Sequence, residues 1–296
     1  MKIVVTGSLG NIGKNLTRQL VKDGHEVTGI IRSPENASEI ESIGAIPAIG
    51  SVDDAEFLTE TFNGADAVFT MVPPNYSIAN SREYYNLIGN AYAEAIKKAG
   101  VKKIVNISSW GAHLPEETGF ITGAHDVEQI LNKLPAVNIT HIRSGYIYYN
   151  LFHFAGMIKN LGFIGSNYGG NDKIVLTSTK DIADVSFEEL IDSSGVGINV
   201  RYIASDDRTA SEIAEALGKE IGIPDLEWKT FTNEEVRKSM EKQGLSEDVI
   251  FNTIDLNTSI HNGKMREDYD AKKSTVTGKV GLEDFAKEFA AYYKNV

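Results

Sequence analysis

The sequence predicts an α/β protein whose core is a Rossmann-type doubly wound parallel sheet, followed by a smaller C-terminal α+β domain. Short apolar runs rich in Val and Ile alternate with longer stretches of helical periodicity through the first 150 residues. A glycine-rich turn separates the first of these strands from the first helix, and the alternation stops after about residue 150. Such alternation requires right-handed crossovers, which cover both faces of a parallel sheet with helices.

The predicted elements follow this alternation in order. Lys2 to Thr6 is a β-branched run, and Ile12, Leu16 and Leu20 then lie on one face of a helix that Gly24 ends. Further strands are predicted at Glu26 to Ile31, Ala45 to Ile49, Ala67 to Met71, Ile104 to Ile107 and Val137 to Ile142. Further helices are predicted near Glu35 to Ile43 and at Asp53 to Phe62, Ser81 to Ala99 and Thr122 to Leu134, the last stopped by Pro135.

The second half of the chain is less regular. Glycines at positions 162, 165, 169 and 170 indicate a loop-rich region. Later helices are predicted at Ser211 to Ile221, after the capping-box spacing Thr232 to Glu235, and at Leu282 to Tyr293. We therefore predict a dinucleotide-binding domain over residues 1–150 and a smaller substrate or partner domain over residues 151–296, with some segments returning to the first domain.

Bulk composition excludes several classes of protein. The 296 residues include 29 basic and 41 acidic side chains, and the net charge of −12 argues against direct binding of nucleic acid. No apolar stretch approaches the ~20 residues that span a bilayer, so no membrane partner is expected. Cysteine is absent, which excludes disulfides and thiolate zinc sites, and no metal-ligand spacing is present. The chain enters a strand without the pattern of a secretory signal, so a cytoplasmic location is expected.

The turn after the first strand carries the strongest functional signal. Gly7, Gly10 and Gly13 follow the strand directly and open a helix, a spacing typical of dinucleotide binding. The backbone of this turn, which includes Leu9, Asn11 and Ile12, is expected to hold a pyrophosphate at the positive end of the helix. The sequence therefore predicts NAD(H) or NADP(H) as cofactor.

The end of the second strand bears on the choice between these cofactors. NAD-selective domains place an acidic residue there, and this sequence has Arg32 and Ser33 instead. A guanidinium pairs well with a 2′-phosphate, and Ser33 adds a hydroxyl. NADP(H) is therefore favoured over NAD(H), and the alternative interpretation of Arg32 is an arginine exposed to solvent at a strand end.

Several segments together resemble the atypical short-chain dehydrogenases/reductases. They are Thr6 to Gly13, Arg32, Ser108-Ser109, Arg143-Ser144-Gly145-Tyr146 and Lys180-Asp181-Ile182-Ala183. Within that superfamily the sequence is most similar to the NmrA-like group, which includes NADP-binding redox sensors and bacterial NAD(P)H:quinone oxidoreductases. One correspondence is weaker, because Ser144 stands where that group has a proline before the glycine.

The resemblance exposes a gap in the catalytic machinery. Ordinary members use a tyrosine, a lysine four residues later, and a serine at the end of strand five. With Glu128 to Leu131 as the anchor, the tyrosine position falls on Phe120 and the lysine position on Ala124, and neither side chain transfers a proton. Since no tyrosine lies between Tyr92 and Tyr146, no register restores the pair.

The resemblance also implies roles for other residues. Catalytic candidates are Ser109, His125 near the missing lysine, and Tyr146. Because ligands lie beyond the carboxyl ends of the strands, further cofactor contacts are expected from Ser51, Val52, Met71, Val72, Pro73, Ser108 and Gly145. The aromatic residues Tyr146, Tyr148, Tyr149, Phe152 and Phe154 either line a site for a flat substrate or form core.

Three functions remain open from the sequence. The first is an NAD(P)H-dependent oxidoreductase that reduces quinones or similarly flat acceptors, for which alignment of donor and acceptor suffices. The second is a sensor of the NADPH/NADP ratio that acts through a protein partner. A sugar-nucleotide epimerase is the third, and the missing tyrosine and lysine disfavour it.

Overall fold

The structure is a computed structural model of the 296-residue chain, and it describes residues 1–75 and 77–296. The strands and helices are, in chain order, β1 (Lys2–Val5), α1 (Gly13–Lys22), β2 (Glu26–Ile31), α2 (Ala37–Ile43), β3 (Ile46–Ile49), α3 (Ala55–Phe62), β4 (Ala67–Thr70), α4 (Ser81–Ala99), β5 (Lys103–Ser109), α5 (Ile121–Leu131), β6 (Asn138–Ser144), β7 (Tyr146–Ile147), α6 (Ala155–Leu161), β8 (Ile164–Ser166), β9 (Lys173–Thr177), α7 (Thr179–Ile191), β10 (Ile198–Ile203), β11 (Asp206–Thr209), α8 (Ala210–Ile221), β12 (Trp228–Thr230), α9 (Asn233–Lys242), α10 (Glu247–His261), α11 (Glu267–Ala271) and α12 (Leu282–Tyr293). Short 3₁₀ helices lie at Pro34–Asn36, Tyr148–Phe154 and Lys264–Arg266.

The largest sheet has seven strands in the order β10-β6-β5-β4-β1-β2-β3. β1 pairs in parallel with β2 and with β4, β2 pairs in parallel with β3, and β4 pairs in parallel with β5. The chain leaves β1 toward β2 and β3 on one side and later fills the other side from β4 onward, so the strand order reverses beside β1. Doubly wound proteins bind ligands beyond the carboxyl ends of the strands at such a reversal. The predicted fold class is confirmed.

The first compact unit comprises residues 1–109, 123–143 and 182–201. One of its cores forms where α3, α4 and α5 pack on the sheet, and it includes Leu58, Phe62, Tyr92, Ile96 and Leu131. Each fully buried side chain of this kind stabilises the fold by about 1.5–3 kcal/mol.

The second compact unit comprises residues 110–122, 144–181 and 202–296. It contains a three-stranded sheet in the order β11-β9-β7 and the parallel pair of β12 and β8. Both units are assembled from separated segments, whereas the sequence-based boundary lay near residue 150, with some later segments returning to the first domain. The functional roles assigned to the two predicted domains stay predictions.

Three sequence-based expectations about elements need correction. The second helix does not begin at Glu35, because Pro34 opens a 3₁₀ turn and α2 begins only at Ala37. The helix predicted to reach Leu134 ends at Leu131, since a residue before proline is disfavoured in the helical conformation and the chain turns ahead of Pro135. The region after residue 150 contains more regular structure than the glycines suggested, because Gly165 lies within β8 and Gly162 ends α6.

A buried polar chain crosses β4, β5 and β6 in the first unit. Thr70 Oγ1 donates to Asn106 Oδ1 at 3.0 Å, and Asn106 Nδ2 lies 3.1 Å from His141 Nδ1. The other ring nitrogen, His141 Nε2, lies 2.9 Å from Asn132 Oδ1. An amide nitrogen donates and an amide oxygen accepts, so the imidazole is neutral with its proton on Nε2. Burial lowers the pKa of His141, which agrees with this assignment.

We expect His141 to make the fold less stable in mild acid. In the unfolded chain the imidazole takes up a proton near pH ~6.5, whereas the folded protein keeps it neutral to lower pH, so stability falls as the pH falls below that value. One proton contributes a slope of at most about 1.4 kcal/mol per pH unit. Urea unfolding of the native chain and of His141→Gln between about pH 5 and pH 8 measures this slope. The variant should be less stable near neutrality and should lose the slope, and an unchanged slope would contradict the assignment.

Candidate cofactor site

The glycine turn after β1 folds back on itself. Gly7 has a φ of 61°, a left-handed conformation that favours glycine, and its carbonyl oxygen accepts a hydrogen bond from Gly10 N at 2.9 Å. A Cβ on Gly13 would lie 2.1 Å from the Gly7 oxygen, a distance that no side chain tolerates. The third glycine is therefore required by close approach of α1 to the turn itself.

The N-terminus of α1 is suited to an anion. Ile12 occupies the N-cap position, and its hydrocarbon side chain cannot accept a hydrogen bond from the helix. The first turn contains Lys14 and lacks an acidic residue. Gly10 and Asn11 are exposed beside this helix end. Exposed backbone at an uncapped, positive helix end fits the phosphates of a dinucleotide.

Ser8 anchors this turn to the neighbouring strand. Its hydroxyl is buried and donates to the carbonyl oxygen of Ile30 in β2 at 2.9 Å. A Cβ on Gly29 would lie 2.9 Å from the Ser8 Oγ, so β2 needs glycine at this point. Ser8 therefore stabilises the turn and is not expected to contact phosphate.

The loop after β4 is fixed next to the glycine turn. Met71 N donates to Thr6 Oγ1 at 3.0 Å, and the Tyr92 hydroxyl donates to the Met71 carbonyl oxygen at 2.7 Å. Burial raises the pKa of Tyr92, so its phenol remains a donor. A Cβ on Gly7 would lie 2.9 Å from Met71 Sδ. Two predicted cofactor residues, Gly7 and Met71, are thus adjacent, and the half-buried Val72 and Pro73 continue from them.

Basic and acidic groups collect near the ends of β2 and β3. Arg32 is exposed directly after β2, and Ser33 is half-buried beside it. The pKa of Tyr84 on α4 is raised, mainly by burial; the Arg32 guanidinium lowers it and the Asp53 carboxylate raises it. Arg32 and Asp53 therefore both lie close enough to Tyr84 to influence its ionisation. Tyr84 was not predicted from the sequence as a site residue.

The two predicted cofactor residues in the loop after β3 differ in exposure. Ser51 is half-buried, and its carbonyl oxygen accepts a hydrogen bond from Asp54 N at 3.2 Å. The side chain of Val52 belongs to the core under α3 and α4, which leaves its backbone as the part able to face a ligand.

A buried ion pair joins β6 to α5. Arg143 on β6 binds Glu128 on α5 with Nε to Oε1 at 3.0 Å and Nη2 to Oε2 at 2.6 Å. Ser108 Oγ donates to the same carboxylate at 2.5 Å. Because side chains alternate along a strand, the half-buried Ser109 faces the opposite side of β5. The Ser108 hydroxyl therefore serves the ion pair, and Ser109 is the serine with the greater freedom to meet a ligand.

The start of α5 is packed tightly against α4. A Cβ on Gly123 would lie 2.5 Å from the Tyr85 ring, so the helices touch here. Hydrogen bonds from Arg82 lower the pKa of Asp126, and His125 contributes to this effect. Ala124 and His125 are both half-buried. His125 thus lies beside a carboxylate that is already paired with Arg82.

The residues after β6 belong to the second unit and serve its packing. A Cβ on Gly145 would lie 2.4 Å from the Val175 oxygen of β9, so this glycine is needed by the sheet. Tyr146 pairs with Leu176 of β9. Burial raises the pKa of Tyr168, and the neighbouring Tyr146 and a hydrogen bond with it raise this pKa further. Phe120 is half-buried in the same unit.

Most of the aromatic cluster is core. Tyr148 stacks on Phe285 with ring centroids 5.0 Å apart, and Phe154 meets Trp228 at the same separation. Phe152 packs against this core, while Tyr149 is 55% exposed. The core interpretation is therefore the better one for Tyr148, Phe152 and Phe154.

Within residues 1–75 and 77–296, which the structure describes, no helix combines the length and the apolar character of a membrane span. The same residues contain no group of three or more His, Asp or Glu side chains that could hold a metal ion.

Comparison with known proteins identifies the family. The model of the NmrA-like family matches residues 1–275. The chain belongs to the NmrA-like family. The resemblance inferred from the glycine turn, Arg32 and the segment after Arg143 is thereby confirmed.

Individual NmrA-like relatives are distant in sequence. The NAD(P)H azoreductase of Xenophilus azovorans is 24% identical over 247 residues, which cover 83% of this chain and 82% of that protein. Two other curated relatives match over shorter stretches, and the aligned region spans 23% of one and 34% of the other.

Solved structures share the fold of this NmrA-like chain. The NADPH-dependent quinone oxidoreductase of Escherichia coli, complexed with NADPH, has a TM-score of 0.82 at 18% identity, with 97% of this chain and 99% of that chain covered. The triphenylmethane reductase of a Citrobacter species has a TM-score of 0.81 at 18% identity, with 98% of this chain and 100% of that chain covered. At such identities the likeness shows the fold alone.

Proposed function

We propose that this chain binds NADP(H) at the turn after β1 and uses it to reduce quinone-like or other flat acceptors, without a tyrosine and lysine pair. The observation that carries the proposal is the turn itself, in which Gly13 is held against the Gly7 carbonyl at the uncapped end of α1. Relatives named as NADPH-dependent quinone oxidoreductase, triphenylmethane reductase and azoreductase support the same chemistry.

Different residues bind different parts of the cofactor. Backbone groups from Leu9 to Gly13 hold the pyrophosphate, and Arg32 with Ser33 holds the 2′-phosphate. Thr6 and Tyr92 fix the Met71 loop, which places the ribose of the nicotinamide. The bound cofactor supplies the hydride, and the chain supplies its orientation.

The missing proton-transfer pair limits the acceptors. A carbonyl that accepts hydride becomes an alkoxide and needs an acid, which Phe120 and Ala124 cannot provide. A quinone instead becomes a resonance-stabilised anion that takes a proton from water, and a triarylmethyl cation becomes neutral without any proton. Flat, conjugated acceptors are therefore the class that this chain can reduce. Ser109, His125 and Tyr146 stay predictions as catalytic residues.

An acceptor panel tests this proposal. Purified protein with NADPH should reduce a benzoquinone or a triphenylmethane dye and should leave a simple aliphatic ketone unchanged. Reduction of the ketone but not of the quinone would contradict it. Binding of NADP(H) with no turnover of any conjugated acceptor would favour a redox sensor, which the missing pair also fits.

Arg32 offers a direct test of cofactor choice. We expect Arg32→Gln to weaken NADPH binding by about tenfold or more and to leave NADH binding nearly unchanged, because a charge-assisted hydrogen bond contributes about 1.5–3 kcal/mol. Calorimetric titration with both dinucleotides measures the ratio. Arg18→Gln removes the same charge from an exposed position on α1 and is the matched control. Equal weakening of NADPH and NADH would show that Arg32 does not contact the 2′-phosphate.

A further inference from the structure

A second basic residue lies at the cofactor turn, and it is already paired. Lys14 is the second residue of α1, directly after Gly13, and its Nζ forms an ion pair with Glu39 Oε1 on α2. The two side chains are 34% and 44% exposed, so the pair is open to solvent and to a ligand.

The ion pair lies close to the position expected for the adenosine ribose. α1 begins where the phosphate turn ends, and α2 follows the end of β2 after Arg32 and the turn at Pro34–Asn36. A bridge from Lys14 to Glu39 therefore runs beside the carboxyl end of β2. In doubly wound proteins the ribose 2′ group is recognised at this strand end.

The charges at this end of the site offset one another. Arg32 and Lys14 each contribute one positive charge, while Glu39 and the Asp53 carboxylate near Arg32 each contribute one negative charge. A 2′-phosphate is attracted by the sum of these charges, while a 2′-hydroxyl is nearly indifferent to it.

We propose that Glu39 is a specificity-determining residue, which limits the preference of this chain for NADP(H) over NAD(H) by neutralising Lys14. This inference rests on the proposed function. It makes the Lys14–Glu39 pair, together with Arg32, the element that sets the affinity ratio of the two cofactors.

Two substitutions that remove charges of opposite sign test the inference. Calorimetric titration with NADPH and NADH gives the affinity ratio for the native chain, Glu39→Gln, Lys14→Gln and the double variant. We expect Glu39→Gln to raise the NADPH preference about three- to tenfold and Lys14→Gln to lower it by a similar factor. The double variant restores the native charge and should return close to the native ratio. Raising the salt concentration should shrink both effects, since exposed charges are screened.

A matched control separates this role from general electrostatics. Lys98 and Glu94 form an exposed ion pair toward the far end of α4, with side chains 59% and 52% exposed. Glu94→Gln makes the same change in net charge there, and it should leave the affinity ratio unchanged.

The outcomes are distinguishable. An unchanged or lowered NADPH preference in Glu39→Gln, while the native chain binds both dinucleotides, would overturn the inference and leave the proposed function standing. Equal weakening of both cofactors together with a lower Tm would assign the pair a structural role, which also overturns it. Failure of the native chain to bind any dinucleotide would instead refute the proposed function.

Discussion

Replacing Gly13 with alanine is expected to remove measurable dinucleotide binding. The added Cβ would lie 2.1 Å from the Gly7 carbonyl oxygen, so either the turn or the start of α1 must move. Loss of two charge-assisted hydrogen bonds that backbone N–H groups donate to phosphate corresponds to about a hundredfold or greater loss of affinity. The strain should also cost about 1–3 kcal/mol of stability.

Two further alanine variants serve as comparisons for Gly13→Ala. A Cβ on Gly10 would lie 3.2 Å from the Gly7 oxygen, a tight contact that small shifts relieve, so Gly10→Ala should fold almost normally but bind the dinucleotide less well. A Cβ on Gly156 in α6 meets open space, and Gly156→Ala should raise stability by about 0.5–1 kcal/mol without affecting binding. Calorimetry and urea unfolding measure both quantities. Native-like binding by Gly13→Ala would show that the turn is not the phosphate site.

Breaking the buried ion pair should give the largest loss of stability. Arg143→Met leaves the Glu128 carboxylate, which is 2% exposed, without its guanidinium partner. Removing one partner of such a pair costs about 3–5 kcal/mol. Ser108 still donates to Glu128, yet one hydroxyl cannot replace a bidentate guanidinium.

A double variant identifies the cause of this loss. Arg143→Met with Glu128→Leu removes both charges and should recover part of the stability. Urea unfolding of the native chain and of both variants measures the effect. No recovery in the double variant would attribute the loss to packing.

The fold was predictable because its signals are local. The strands and helices of the first unit follow from hydrophobic periodicity, and Gly7, Gly10 and Gly13 lie within one turn, where their spacing has a direct geometric meaning. The errors occurred where neighbouring residues compete, as at Pro34 and Pro135, which shift the ends of helices.

The rest of the site depends on residues distant in sequence. Glu39 lies on another helix than Lys14, and Arg143 reaches Glu128 from another element. Nothing in the local pattern distinguishes these charged residues from exposed ones, so their pairing emerges only with the tertiary structure. The same holds for Tyr92. From the sequence it is an ordinary core residue of α4, and only the structure shows that its hydroxyl donates to the Met71 carbonyl oxygen.

The proposed acceptor class rests on two residues that the sequence shows directly. Phe120 and Ala124 carry no transferable proton, and this holds whatever the surrounding geometry. The catalytic candidates are less determined, since Ser108 serves an ion pair while Ser109, His125 and Tyr146 are all half-buried, so exposure does not choose among them.

The most direct test of the account is a single-turnover measurement on the preformed complex with NADPH. The near-ultraviolet absorbance of the reduced nicotinamide is followed after mixing with a benzoquinone, for the native complex and for the same concentrations of NADPH and Gly13→Ala. We expect rapid oxidation of the bound cofactor by the native chain and only the uncatalysed rate with the variant. Equal rates for the two proteins, or no oxidation by a native chain that is saturated with NADPH, would contradict it.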